Sequence, residues 1–252
     1  MLISAFALSA VSATAANSPS NVTEMPSGIV VYRTKGDVSV KRGDILNSGD
    51  TITTTSNAGR VSMSLFPGGK AMLKGRNVSA TIGDVFMRTS GGYVTEQDAA
   101  IRLDSGTLTA RVNNPGQGAS NRFHVAITQG IVEIDTSVST KFVTALGIIA
   151  DEANPTIACY EGIVHFVVEH GVPTRLHPEG TKPGDKKEII PIPAGFALRI
   201  KDYLDTGVLL PVSDLNQGTD PDTELPSDLD SSGDSDFDTP DNFAPGVNSP
   251  SH

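Results

Sequence analysis

Tryptophan is absent from this 252-residue chain, and aromatic residues together make up 5 % of it. Its core therefore rests on Val, Ile, Leu and Ala, and the flat aromatic platform that usually stacks on sugars is missing. Cys159 is the single cysteine, so no disulfide can close within the chain. No apolar run reaches the roughly 18 residues that a membrane-spanning helix needs, so the mature chain is expected to lack a transmembrane segment. Positive charge is missing from the C-terminal region while acids collect there. Ser213 to His252 carries ten acidic residues and neither Lys nor Arg. The formal charge of −10 thus sits in that tail, and the remainder balances 19 acids against 19 bases. A balanced domain lacks the footprint of a nucleic-acid binder, and no nucleic-acid partner is expected.

Residues Met1 to Ala16 read MLISAFALSAVSATAA, apolar and small, before the polar step Asn17-Ser18-Pro19-Ser20. Small residues at Ala13 and Ala15 suit a signal peptidase, with cleavage after Ala15 or Ala16. The segment lacks the basic residue that usually precedes such a run. It is read as a signal peptide (1–16) followed by a linker (17–27), and the mature protein as periplasmic or secreted.

From Ile29 to about Ile200 the apolar residues alternate with period two, as in Val61-Ser62-Met63-Ser64-Leu65 and Phe123-His124-Val125-Ala126-Ile127. Val38-Ser39-Val40, Leu108 to Val112 and Ile163 to Val167 read the same way. Turn signals such as Pro67-Gly68-Gly69, Gly91-Gly92 and Asn113-Asn114-Pro115-Gly116 separate them. Thr95 to Arg102 is compatible with a turn of helix. The expectation is an all-β single domain over 28–212, built of many short strands as a sandwich, roll or barrel-like arrangement. The acidic tail, 213–252, has too little apolar surface to offset its ordering entropy and is expected to be disordered.

In sequence order, Gly36-x-Val38-x-Val40, Gly43-x-Ile45-Leu46-x-x-Gly49-Asp50-x-Ile52-x-Thr54, Leu103-x-x-Gly106-x-Leu108, Phe123-x-Val125, Glu161-Gly162-x-Val164 and Ala194-Gly195 form a set of motifs. This set resembles the FecR domain family, extracytoplasmic β domains named after the iron-dicitrate signalling regulator. The resemblance implies an exported, non-catalytic interaction module binding a protein or a cell-envelope component. It departs at Ser139-Thr140-Lys141-Phe142, where the family has Gly before Thr. The family's cytoplasmic sigma-regulating segment and transmembrane helix have no counterpart, so signalling across a membrane is not carried over. At Gly49-Asp50, Gly suits a turn and the Asp carboxylate can accept nearby backbone N–H groups, so the pair is read as structural.

No catalytic residue is assigned. Cys159 lies in an apolar strand, where a buried thiol filling core space is the plainer reading. His124 and His165 fall between inward apolar neighbours and are expected to face solvent. His165, His170 and His177 lack the His-x-His spacing of a β-barrel metal site, and His252 ends the acidic tail. No cofactor is expected. Asp228, Asp230, Asp234 and Asp236, with Gly233 between them, match the start of a calcium loop, but Thr239 stands where a bidentate Glu belongs. Two other functions stay open: a structural component of a surface layer or matrix, and a carbohydrate-active enzyme with carboxylates converging from distant positions.

Overall fold

The computed structural model describes residues 22–56, 59–113, 120–134, 138–146, 154–169, 171–172, 180, 182 and 187–216. Along the chain run β1 (Val22–Pro26), β2 (Ile29–Lys35), β3 (Ile45–Leu46), β4 (Thr51–Thr53), β5 (Arg60–Phe66), β6 (Gly69–Ser90), β7 (Tyr93–Val112) and β8 (Ser120–Ile127). They are followed by β9 (Gly130–Ile134), β10 (Thr140–Leu146), β11 (Thr156–Glu161), β12 (Ile163–Val168), β13 (Ile189–Pro193) and β14 (Phe196–Arg199). A short helix α1 (Ile200–Thr206), β15 (Leu210–Pro211) and a 3-10 helix (Val212–Asn216) close the described part. The class is all-β, and most strands are short. Two are not: β6 and β7 have 22 and 20 residues.

These two form one long hairpin around Gly91-Gly92, and every other strand hangs from it directly or through a neighbour. The hairpin bends midway. Its register breaks between Lys74 and Ser79, where Asn77 has φ 56° and is the one non-glycine residue with positive φ among those described. Opposite the break lies Gly106, at φ 97°, where an added Cβ would come within 2.6 Å of Val78. Thr54 pins the corner: its hydroxyl donates to Gly75 O at 2.6 Å and accepts from Val78 N at 3.2 Å.

The bend carries the two halves of the hairpin into opposing layers. The half beyond it (79–103) pairs with β1, β4 and β8, and through β8 with β9, β12 and β13. The near half (69–74 and 107–112) pairs with β5 and β10, and onward with β2, β11, β14 and β15. Strand β8 runs parallel to β7, from Glu96↔Ser120 to Arg102↔Ala126, although β7 ends at Val112. A straight β7 would put Val112 about 53 Å from Glu96, far beyond the seven residues that lead to β8. The folded-back strand brings Asn113 beside Asn121, whose side-chain amide donates to Asn113 O at 3.3 Å. Inward residues of both layers, among them Ile82, Ile101, Val125 and Phe166 against Leu73, Leu108, Phe142 and Leu198, make one continuous core. The Phe123 and Phe142 rings meet across it at 6.1 Å.

Gly49-Asp50 belongs to one of two matching turns, Lys41-Arg42-Gly43-Asp44 and Asn47-Ser48-Gly49-Asp50. The glycines, at φ 94° and 91°, take the position that needs positive φ in a type II turn. Each aspartate donates its N–H to the first residue's carbonyl, at 3.1 and 3.0 Å. Each carboxylate also accepts the first residue's N–H, at 2.7 Å in both turns. The turns then clamp one buried strand residue apiece. Gly43 N and Asp44 O bond Val31, and Gly49 N and Asp50 O bond Ile82.

Four local expectations need correcting. Thr95 to Arg102 lies within β7, not in a helical turn, because it is paired on both sides, to β6 and to β8. Val38-Ser39-Val40 forms no strand, only an isolated bridge from Val38 to Thr54. The linker assigned to 17–27 contains β1, which lines the outer half of β6. The tail assigned to 213–252 begins inside the 3-10 helix.

Strand β13 ends the path of paired strands. Val168 N bonds Glu188 O at 2.9 Å, so by antiparallel alternation Ile190 and Ile192 turn their backbone groups to β12. Pro191 and Pro193 turn theirs outward, and neither has an N–H to offer a further strand. Replacing both by Thr is expected to expose two donors and produce concentration-dependent self-association in sedimentation velocity, with the parent unchanged. Asp50→Ala is expected to lower the unfolding free energy in urea by about 1 kcal/mol, with Asp50→Asn milder.

Candidate binding face

Because side chains alternate along a strand, the residues out of phase with the core share the outer side of their layer. On the layer built from β2, β5, β6, β7 and β10, that side is cationic. Lys35 pairs with Arg60, and Arg60 with Lys74, giving three cations on three adjacent strands. Four residues along β6, Lys70 pairs with Arg111, and Arg111 with Lys141, giving three more. Arg33, opposite Ser62, lies between the two rows. Among the described residues of these rows, seven cations thus stand on this side, with one acid, Glu161, at the end of the second row.

Small and neutral residues fill the space between the rows. Ser62, Met72 and Thr109 stand in register across β5, β6 and β7, and all three are buried. Tyr32 flanks them at the bulge in β2, and burial pushes its hydroxyl up to about 12, so it stays protonated. Lys141 is buried, with its ammonium 5.8 Å from the centre of the Tyr160 ring, a cation–π arrangement. Arg111 reaches Glu161 at 3.5 Å. Arg33, Lys35 and Arg111 are exposed, and Arg60, Lys70 and Lys74 half-buried. Like charges directly opposite one another weaken a sheet.

The other layer presents a balanced outer side. Arg88 Nη1 donates to Glu96 Oε2 at 2.7 Å, and Arg122 approaches Glu96 Oε1 at 3.3 Å. His124 lies between Asp98, 3.4 Å from Nε2, and Glu133, 3.7 Å from Nδ1. The bond to Asp98 is the main cause of a raised His124 pKa, and the charges of Asp98 and Glu133 add to it. Burial and Arg122 act the other way. His124 does face outward, but into carboxylates. His165 stands opposite Glu133 on β12 and is half-buried.

Cys159 is fully buried; its thiol lies 3.3 Å from Glu161 O, and burial pushes its pKa up to about 11. A thiol so held is protonated at neutral pH and a poor nucleophile. Among the described residues no three His, Cys, Asp or Glu side chains are placed to hold a metal ion. No described helix is long and apolar enough to cross a membrane. Ala15, Ala16, Asp228, Asp230, Asp234 and Asp236, like His170, His177 and His252, lie outside the described residues.

No family model matches the chain, and no curated protein matches it. Among solved structures, a candidate anti-sigma factor from Parabacteroides distasonis ATCC 8503 is similar over 75 % of this chain and 58 % of its own length. The identity is 13 % and the TM-score 0.29. At that TM-score the likeness fixes neither fold nor role.

The cationic face was not anticipated, since its members are scattered from Lys35 to Lys141. A partial signal existed: Arg60, Lys70, Lys74 and Arg111 all occupy the polar phase of alternating segments. Which strands lie side by side was the missing information.

Two outcomes follow. Lys74→Glu, which sets an acid opposite Arg60, is expected to match or exceed the parent in urea stability, by up to about 1 kcal/mol. For His124, a raised folded pKa means its ion pairs contribute fully below the ordinary value of about 6.5 and are lost as pH rises through the folded value. Unfolding free energy should therefore fall across that upper range. An NMR titration should find the His124 pKa lowered in Asp98→Asn.

Proposed function

We propose that this chain is an exported, non-catalytic interaction module that holds an anionic polymer of the cell envelope on its cationic face. The observation that carries the reading is the pair of cross-strand rows, Lys35-Arg60-Lys74 and Lys70-Arg111-Lys141. A sheet surface with charge in parallel rows suits an extended, repetitive partner more than a compact ligand that needs a deep pocket. The apolar leader at 1–16 and the likeness of its motifs to the FecR domain family support export and a binding role. A structural role through lateral strand pairing has less support, because Pro191 and Pro193 remove donors from the β13 edge. The buried, protonated Cys159 supports a non-catalytic reading.

The test is calorimetric titration of the full chain with polygalacturonate, a carboxylate polymer, in about 50 mM salt, with uncharged dextran as control. Binding should weaken steeply with added salt, as expected when paired cations release counterions. Lys70→Glu with Lys74→Glu should weaken it about tenfold or more while the urea midpoint holds. Equal affinity in parent and variant would sink the proposal. Tighter binding of a short DNA duplex than of the polymer would move the reading to a nucleic-acid partner.

A further inference from the structure

We infer that the acidic segment 217–252 docks on the cationic face of its own chain and competes there with the anionic partner. The inference rests on reading that face as an anion-binding surface, and four observations lead to it.

The first is sign. Nine of the ten acids of the tail fall in 217–252, which has no Lys or Arg, whereas the described residues of the face carry seven cations and one acid. The second is the point of departure. Val212 N–H donates to Gly195 O at 2.9 Å, and β15 pairs with β14, which pairs with β11, which pairs with β10. The segment therefore leaves from the edge of the layer that bears the cations. The third is reach. Five strand steps separate β15 from β6, about 24 Å at about 4.8 Å each, which about eight extended residues cover. Glu224 is eight residues beyond Asn216.

The fourth observation is spacing. The acids recur at every second position: Asp220, Asp222 and Glu224; Asp228 and Asp230; Asp234, Asp236 and Asp238. In an extended chain, residues two apart project to the same side, about 6.6 Å from one another. Such a run presents its carboxylates in a line, and the face presents its cations in lines of three. The same pattern that opens like a calcium loop at Asp228 is, over its whole length, a set of short carboxylate rows.

Tethering places the segment at an effective concentration near the millimolar range, so weak pairing suffices for occupancy. The contact is screened by salt, and a polymer with more charges displaces it.

The test uses the full chain with Asp220, Asp222, Glu224, Asp228, Asp230, Asp234, Asp236 and Asp238 each changed to the corresponding amide. This protein should bind polygalacturonate about five-fold more tightly or better at low salt, with the gap closing near 0.5 M salt. Zero-length carbodiimide coupling of the parent monomer should join these carboxylates to the amines of Lys70 and Lys74, as read by peptide mass spectrometry. Unchanged affinity, or coupling confined to lysines off the face such as Lys187 and Lys201, overturns the inference and leaves the binding face standing. If neither protein binds the polymer, the reading of the face fails, and the coupling pattern alone decides whether the segment docks.

Discussion

The bend in the β6–β7 hairpin is the constraint on which the rest depends. At Lys74–Ser79 and Gly106 the backbone enters conformations that side chains resist, and a hydroxyl from Thr54 holds the corner. Without the bend, β8 could not return to pair in parallel with the start of β7. Phe123 would not meet Phe142, and the two outer faces would be one. The strain is offset by burying aliphatic side chains from both halves in a single core.

The bend also sorts charge. Its outer half carries Glu96, Asp98, Arg122, His124 and Glu133, which neutralise one another across three strands. The inner half carries the cation rows, in register across adjacent strands, with Glu161 at the end of one of them. One layer thus spends its outer residues on mutual pairing. The other gathers cations on neighbouring strands.

The fold class was legible because alternation survives almost everywhere that one face is buried. The hairpin turns at Pro67-Gly68 and Gly91-Gly92 and the Gly49-Asp50 turn were legible for a local reason: positive φ demands glycine, and a carboxylate three residues from a free N–H can reach it. Thr95 to Arg102 misled because its Glu, Gln and Ala favour helix locally, while pairing to β6 and β8 outweighs that preference. Val38 to Val40 misled in the opposite sense. It alternates, yet has a partner only at Thr54, and a strand without a ladder is not a strand. Strand β1 was missed because its place is set by β6, more than sixty residues away in sequence.

Sequence alone determined which residues alternate, where turns fall and that the tail is acid-rich, since each of these is a property of near neighbours along the chain. The burial of Cys159 also follows from its apolar neighbours. Only the tertiary structure decided that Lys35, Arg60, Lys74, Lys70, Arg111 and Lys141 share a surface. Net charge sums over the whole chain and is blind to position, and an even balance of 19 acids and 19 bases hides a face whose described residues carry seven cations and one acid. Strand pairing, set by long-range burial and the hairpin bend, brings those scattered cations onto adjacent strands in two rows.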